Sequence, residues 1–124
     1  MDVAAAFAGK NLDDLKAELA GGKLVFYSVA RPENADSPVE RSEILATFTF
    51  SSPAFADADK PAFESNPVKA TSVGTPGFAR AFKADGTTVV ADFSVGPGKT
   101  EIKLSEVSTV ADFPIAVRAF ALPA

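Results

Sequence analysis

The chain contains no cysteine, no histidine and no tryptophan among its 124 residues. Without cysteine it can form no disulfide, no thiolate nucleophile and no cysteine-ligated zinc or iron–sulfur site. Without histidine it lacks the side chain that most often serves as general base and as metal ligand. Catalysis would have to rely on carboxylates, lysines, hydroxyls and one tyrosine, and no spacing marks two carboxylates as a pair. We therefore predict that the protein is not an enzyme and binds no metal or cofactor.

Positive charge is also scarce, since 12 Lys and Arg residues face 16 Asp and Glu residues, a net charge of −4. Binding to phosphate backbones needs clustered Lys and Arg. The apolar runs are far shorter than the roughly 20 residues of a membrane span, and residues 1–9 lack the basic start of a signal peptide. We expect no nucleic-acid or membrane partner, and synthesis in the cytoplasm.

What the chain has in quantity is phenylalanine, with 11 residues against one Tyr. Phe carries no hydrogen-bonding group, so such a set favours core packing over polar recognition. A chain that is 47% hydrophobic and 23% charged has the composition of a folded domain. Its length suits a single core. We divide it into an N-terminal arm and short helix over residues 1–21 and a β-sandwich domain over residues 22–124.

One helix is predicted near the N-terminus. Leu12, Leu15 and Leu19 recur at i, i+3 and i+7, the spacing of one helix face. Asn11 is a good N-cap residue, and Gly21-Gly22 provides a stop. The pattern indicates a helix of about two and a half turns.

Two segments are candidates for binding a partner. Residues 3–8 are small and apolar, and no predicted strand covers them, so they extend the helix, form a frayed terminus or serve as a contact arm. As an arm, they would contribute to assembly more than to folding, through Val3 and Phe7. The second candidate is the proline-containing loop over residues 31–38, with Arg31, Pro32 and Pro38.

From Lys23 onward the pattern is that of β-strands. Residues 23–30 form an almost continuous apolar run that fits a strand covered on both faces, and residues 43–50 alternate until Ser52-Pro53 ends them. Phe55 and Phe63 fall in a long connection. Further strands are predicted over residues 68–73, 78–82, 89–95, 102–105 and 115–122. About six to eight short strands at this spacing favour an all-β fold with two packed sheets.

The clearest hairpin surrounds Asp85-Gly86. This dipeptide favours a two-residue type I′ turn, in which both residues have positive φ. That turn places Phe82 opposite Val89 and Phe78 opposite Phe93, so that both apolar sets share one face.

Three further features allow functional interpretations. Gly98-Lys99-Thr100 looks like the end of a phosphate-binding loop, but Phe93 stands where that motif needs Gly and a strand follows. Asp57-Ala58-Asp59 lacks the downstream Gly and Glu of a calcium loop. Arg80 lies between two Phe residues; we interpret it as paired with a carboxylate or stacked on Phe at the sheet margin, with a binding role as the alternative.

A series of short motifs between Gly22 and Gly96 resembles a family of small virion proteins of tailed phages and prophages. In that family a helix precedes a strand with the pattern G-K-L-x-x-Y-S-G-x-x-P, and a G-T-A-x-W-x-R segment leads into a D-G hairpin. The matching residues, in the same order, are Gly22-Lys23-Leu24-Val25-Phe26-Tyr27-Ser28, Arg31-Pro32, Leu45-Ala46-Thr47-Phe48-Thr49-Phe50, Pro53-Ala54-Phe55, Gly74-Thr75, Phe78-Ala79-Arg80, Asp85-Gly86 and Ser94-Val95-Gly96. The order of the motifs carries the resemblance.

The resemblance implies a structural protein of the virion, similar to the capsid decoration (cement) proteins of some podophages, which are jelly-roll-like β-sandwiches. It implies as partners the major capsid protein or other virion proteins, and we expect a homo-oligomer. One alternative is a phage tail or head–tail connector component, present in about six to twelve copies rather than hundreds. Another is a carbohydrate-binding module, which would usually present exposed aromatic platforms.

Overall fold

The structure is a computed structural model that describes residues 1–39, 42–57, 60–96, 98 and 100–120. Within these residues the chain is mostly β-structure, and its sheets are antiparallel. The elements are β1 (Asp2–Val3), a 3₁₀ turn (Ala5–Phe7), α1 (Leu12–Glu18), β2 (Lys23–Tyr27), β3 (Ile44–Asp57), β4 (Lys60–Phe63), β5 (Val68–Lys69), β6 (Phe78–Phe82), β7 (Val89–Ser94), β8 (Ile102–Leu104), β9 (Pro114–Ile115) and β10 (Val117–Phe120). Three predictions reach outside the described residues, at Ala58-Asp59, at Lys99 and at the end of the last strand, residues 121–122.

The largest sheet has six strands in the order β1-β7-β6-β2-β3-β4, and two small ladders, β8 with β10 and β5 with β9, accompany it. β2 lies inside the sheet, between β6 and β3. Leu24, Val25 and Phe26 are all buried, although successive side chains of a strand point to opposite faces. The prediction that this strand is covered on both faces is confirmed.

The core lies on one face of the large sheet and consists mainly of phenylalanine rings. Phe120 of β10 packs across this face, with its ring centroid 4.8 Å from Phe93, 5.7 Å from Phe55 and 6.3 Å from Phe50. Alanines of the central strands belong to the same cluster and leave room for the rings: Ala46, Ala79, Ala81 and Ala91. Large and small side chains thus interdigitate, as close packing requires.

The predicted helix is confirmed as α1. The side chain of Asn11 accepts a hydrogen bond from the backbone N of Asp14 at 2.9 Å, which is the expected N-cap. Leu15 and Leu19 are buried in the core. Gly22 then approaches β6 so closely that an added Cβ would lie 2.0 Å from the carbonyl oxygen of Phe82, so only glycine fits at this junction.

The predicted end of the second strand at Ser52-Pro53 is wrong, because β3 continues to Asp57. The ladder between β3 and β4 is irregular between Phe50 and Phe55. A strand can hold a proline, here Pro53, at such an irregularity, because no ladder hydrogen bond is needed there. Phe55 and Phe63 therefore lie in strands rather than in a connection. Both rings stack on Phe50, at 6.2 and 5.0 Å between centroids.

The predicted register of the β6–β7 hairpin is correct at one pair and wrong at the other. Phe82 lies opposite Val89, as predicted, but Phe78 lies opposite Ser94 and Phe93 opposite Ala79. A register shift between Ala81 and Phe82 causes the difference, since one extra residue on β7 moves the following side chains by one position. Phe78 and Phe93 consequently face opposite sides of the sheet.

The turn of this hairpin is also longer than predicted. Gly86 has φ +74°, but Asp85 does not share a positive φ, which excludes a type I′ turn. The carboxylate of Asp85 instead accepts hydrogen bonds from the backbone N of Thr87 and of Thr88, both at 2.8 Å, and from the Thr88 hydroxyl. These bonds lower the pKa of Asp85 to about 2.

The expectation that residues 3–8 are left uncovered is wrong. β1 pairs with the edge of β7, with Val3 opposite Ala91, and the backbone N of Ala4 donates to the carbonyl of Val90 at 2.8 Å. The 3₁₀ turn then returns the chain to the core, where Phe7 is only 7% exposed. This docking pairs the free edge of β7 and removes the Phe7 ring from water, and both effects stabilise the folded state. The segment therefore contributes to folding, and its deletion would uncover core.

We expect Phe93→Ala to lower the free energy of unfolding by about 3–5 kcal/mol, because the change removes a ring that Phe120 packs against and leaves a cavity. Urea denaturation gives the value. Phe113→Ala is the matched control, since Phe113 is 64% exposed, and it should change stability by no more than about 0.5 kcal/mol. A loss below about 1 kcal/mol for Phe93→Ala would contradict its place in the core.

We also expect the Asp85 loop to make stability depend on pH. The lowered pKa means that the ionised carboxylate stabilises the folded state above the ordinary value of 3.8, and that this contribution is lost as the pH falls toward 2. Carbon-13 NMR of the carboxyl group measures the pKa. Thr88→Val should raise it clearly, because the Thr88 bonds are its largest cause, whereas Thr87→Val should raise it less. Equal effects of the two variants would refute this assignment.

Candidate functional site

Arg80 and Asp92 form a buried ion pair on the face of the sheet opposite the phenylalanine core. Nε of Arg80 lies 2.6 Å from Oδ1 of Asp92, and Nη2 lies 2.9 Å from Oδ2, a bidentate arrangement. The Arg80 side chain is 5% exposed and that of Asp92 is 0% exposed. The guanidinium carbon also lies 5.7 Å from the ring centroid of Phe78. The interpretation of Arg80 as paired with a carboxylate or stacked on Phe is confirmed, but its predicted place at the sheet margin is wrong, because β6 lies inside the sheet between β7 and β2 and Arg80 is buried.

The pair also holds the loop over residues 31–38. Nη1 of Arg80 donates to the carbonyl of Ser37 at 2.8 Å, and the backbone N of Ala5 donates to the carboxylate of Asp36 at 2.9 Å. Ala35 between these contacts is fully buried. The loop thus packs over the ion pair, and three of the five N–H groups of Arg80 donate to Asp92 and Ser37. Arg80 also lines a cleft of about 370 Å³ together with Ala35, Ser37 and Pro38.

Burial dominates the electrostatics of this pair. Loss of solvation raises the pKa of Asp92 above its ordinary value, while the hydrogen bonds and charge of Arg80 act in the opposite direction. Removing two charges from water commonly costs as much as their attraction returns. The pair therefore specifies geometry more than it adds stability.

A second charge cluster ties the N-terminal segment to the same side of the molecule. Nε of Arg31 lies 3.4 Å from a carboxylate oxygen of Asp2, and Nη1 lies 3.8 Å from Glu101. The α-amino group of Met1 lies 2.6 Å from the other oxygen of Glu101. Asp2 is also directly opposite Asp92 in the β1–β7 ladder, so Arg31 and Arg80 offset a repulsive pair of carboxylates.

The five residues predicted to bind a partner do not form one exposed surface. Val3 is half-buried and packs against the core, and Phe7 is buried. Arg31 and Pro38 are exposed, and Pro32 is half-buried. Arg31 is also engaged in the ion pairs to Asp2 and Glu101. The contact of any of these residues with a partner stays a prediction.

Exposed apolar side chains instead gather elsewhere, at what we call the apolar end. Among the described residues, the exposed large hydrophobic side chains are Val73 (71%), Val107 (66%), Phe113 (64%), Val110 (51%) and Ile44 (47%). Single exposed apolar residues are ordinary, whereas a group of them marks an interaction site.

Hydrogen bonds bring four of these residues, all but Val107, together from three parts of the chain. Gly74 and Thr109 form an antiparallel bridge with hydrogen bonds in both directions, at 3.2 and 2.7 Å, which places Val73 beside Val110. The backbone N of Phe113 donates to the carbonyl of Val110 at 3.0 Å. The hydroxyl of Thr71 donates to the carbonyl of Ile44 at 2.8 Å.

Two clefts open at the apolar end, and Glu106 lines both. The first has a volume of about 220 Å³ and is mainly apolar, with Pro76, Val95, Leu104 and Val107 in its walls. The second is bordered by Val110 and Phe113. Small-molecule sites are usually about 300–1,000 Å³, so the first cleft suits one side chain of a partner better than a free ligand.

Sequence reasoning missed this surface. Four of its five members lie in the segments at residues 70–77 and 105–114, where no alternation reports which side chains face the core. Val73 ends the strand predicted over residues 68–73, but only Val68–Lys69 form β5. The sequence did contain a signal for this surface. Val107, Val110 and Phe113 lie among residues that favour turns, and a turn buries few of its side chains. Their assembly depends on the pairing of residues 74 and 109, which are far apart in sequence.

The described residues show neither a cluster of metal-ligating side chains nor a membrane-spanning helix. No group of three or more Asp and Glu side chains is placed to hold a metal ion in this part of the chain. No helix of the described ranges is long and apolar enough to cross a membrane.

We expect the Arg80–Asp92 pair to behave as a coupled unit in a double-mutant cycle. Arg80→Met or Asp92→Leu alone should cost about 3–5 kcal/mol of stability in urea denaturation, because each leaves a buried charge unpaired. The double variant should cost clearly less than their sum. The solvent-accessible, half-buried pair Lys83–Glu18, at 3.1 Å, is the control and should show a coupling of at most about 1 kcal/mol. Additive losses for Arg80 and Asp92 would refute the coupling.

Comparison with protein-family models, with curated proteins and with solved structures yields no match to this chain.

Proposed function

We propose that this protein is a structural component of a phage virion, and specifically a decoration protein that binds the outside of the capsid and stabilises it. The observation that carries the proposal is the apolar end, defined by Ile44, Val73, Val107, Val110 and Phe113. An exposed apolar group on a small domain is typical of a surface that another protein covers.

The resemblance of residues 22–96 to small virion proteins supports the same function. On this proposal the fold is a two-sheet, jelly-roll-like sandwich, in which the β8–β10 ladder covers the phenylalanine face of the large sheet through Phe120. Binding across the seams between capsid subunits would favour the assembled shell by mass action.

The proposed role is not catalytic. Arg80 and Asp92 neutralise each other in a face that the loop over residues 31–38 covers. Among the described residues that line the mainly apolar cleft at the apolar end, Glu106 is the one ionisable group. A lone carboxylate beside apolar walls suits recognition better than acid–base chemistry, which needs a partner group.

The experiment compares particles of the encoding phage or prophage made with and without the gene for this chain. We expect particles without the protein to lose DNA at a lower temperature, and purified protein to restore the original value. Quantitative mass spectrometry should find the protein on the order of hundreds of copies per particle, because shell symmetry repeats each site.

Two results would contradict the proposal. About six to twelve copies per particle would instead indicate a tail or connector component. Absence of the protein from particles, together with unchanged heat stability, would exclude a virion role altogether.

A further inference from the structure

Residues 1–7, which we call the arm, cover the outer edge of the large sheet. β1 is the first strand in the order β1-β7-β6-β2-β3-β4, so it contacts β7 from outside. Val3 lies opposite Ala91, and Phe7 of the same segment is buried in the core. The arm therefore fills a site that the rest of the chain builds.

A short hinge, residues 8–11, joins the arm to α1. All four hinge residues are exposed, and Gly9 has φ +89°. Among the described residues, no atom beyond the chain neighbours of Gly9 lies within 4 Å of the place that a Cβ would take. Glycine adopts positive and negative φ about equally readily, so the hinge permits a second direction of the arm without a clash at this residue.

The arm can leave its site without unfolding the sheet, because it supplies one strand of two residues and one buried ring. Terminal segments of this size open locally at a lower free energy than the whole domain. An opened arm leaves β7 with an unpaired edge and returns the Phe7 ring to water, and both changes are unfavourable. The opened state is therefore one that another arm stabilises.

We propose that two copies of the chain exchange arms, so that residues 1–7 of each dock on β7 of the other. An identical segment makes the same contacts whichever chain supplies it, including the ion pairs of Asp2 with Arg31 and of Met1 with Glu101. Only the hinge changes its conformation, which is why exchange is a low-cost route to a dimer. This inference goes beyond the decoration role and does not depend on it.

The absence of cysteine from the sequence makes disulfide trapping specific for introduced pairs. The backbone N of Ala4 donates to the carbonyl of Val90 at 2.8 Å, so the adjacent pair, Val3 with Ala91, is of the closely spaced type that exchanges no backbone hydrogen bonds. The Cβ atoms of such a pair lie near the separation that a disulfide needs. In dilute solution, Val3→Cys/Ala91→Cys should therefore cross-link within one chain, which verifies the geometry.

The first test mixes two single-cysteine proteins, Val3→Cys and Ala91→Cys, at high concentration under mild oxidation. Mass spectrometry counts the disulfides that join residue 3 of one chain to residue 91 of another. The control mixes Val3→Cys with Ser65→Cys, because Ser65 is exposed and follows β4 at the opposite edge of the sheet. Ala91 is 2% exposed, so a docked arm reaches a cysteine there and random collision does not. We expect a yield several-fold above that of the control.

The second test strains the hinge and leaves every arm contact in place. Gly9→Val disfavours the positive φ of the closed hinge by about tenfold or more, whereas the hinge of the exchanged dimer adopts a negative φ. Gly86→Val is the matched control, because Gly86 also has a positive φ, +74°, and an added Cβ there meets no described neighbour. Analytical ultracentrifugation should show dimerisation at least about tenfold tighter for Gly9→Val and unchanged for Gly86→Val.

A cross-chain yield no higher than that of the Ser65→Cys control would overturn the exchange of arms. Equal dimerisation of the Gly9→Val and Gly86→Val proteins would overturn it as well. Dimers that form without the link between residues 3 and 91 would show that two copies meet through another surface, with the same consequence. The decoration role fails separately, since unchanged heat stability of particles without the protein would exclude that role and leave the exchange intact.

Discussion

The pairing of Arg80 with Asp92 is the constraint on which the rest of the structure depends. Because these residues face each other across β6 and β7, Phe93 is directed to the opposite side of the sheet, where Phe120 packs on it. A slip of one residue would turn Asp92 into the phenylalanine core and Phe93 out of it. A buried pair of charges is a weak source of stability but a strong selector between registers, since the alternative leaves a charge unpaired.

Features that depend on neighbouring residues could be predicted from the sequence, and those that depend on distant contacts could not. The helix behind Asn11 and the pairing of Phe82 with Val89 follow from local capping and alternation. The shift that places Phe93 opposite Ala79 involves one extra residue in the ladder, and alternation alone does not reveal it. The burial of Phe7 depends on the edge of β7, which exists only after the hairpin has formed.

The two faces of the large sheet carry the contacts that fold the domain, whereas the apolar end carries exposed apolar side chains. One face of the large sheet carries the aromatic core, and the other carries Arg80 and Asp92 beneath the loop over residues 31–38. The irregular segments at residues 70–77 and 105–114 leave apolar side chains such as Val107 and Phe113 exposed, and we propose that a partner covers them. They bury little, and so they can serve binding without weakening the core.

The most direct test of this account is a cryo-EM reconstruction of the decorated particle at a resolution that shows side chains. The account predicts that density for the domain meets the shell at residues 70–77 and 105–114, where Val73, Val107, Val110 and Phe113 lose their exposure to solvent. Residues 31–38 should face solvent. A shell contact made through residues 31–38, with Val107 and Phe113 exposed on the particle, would contradict it.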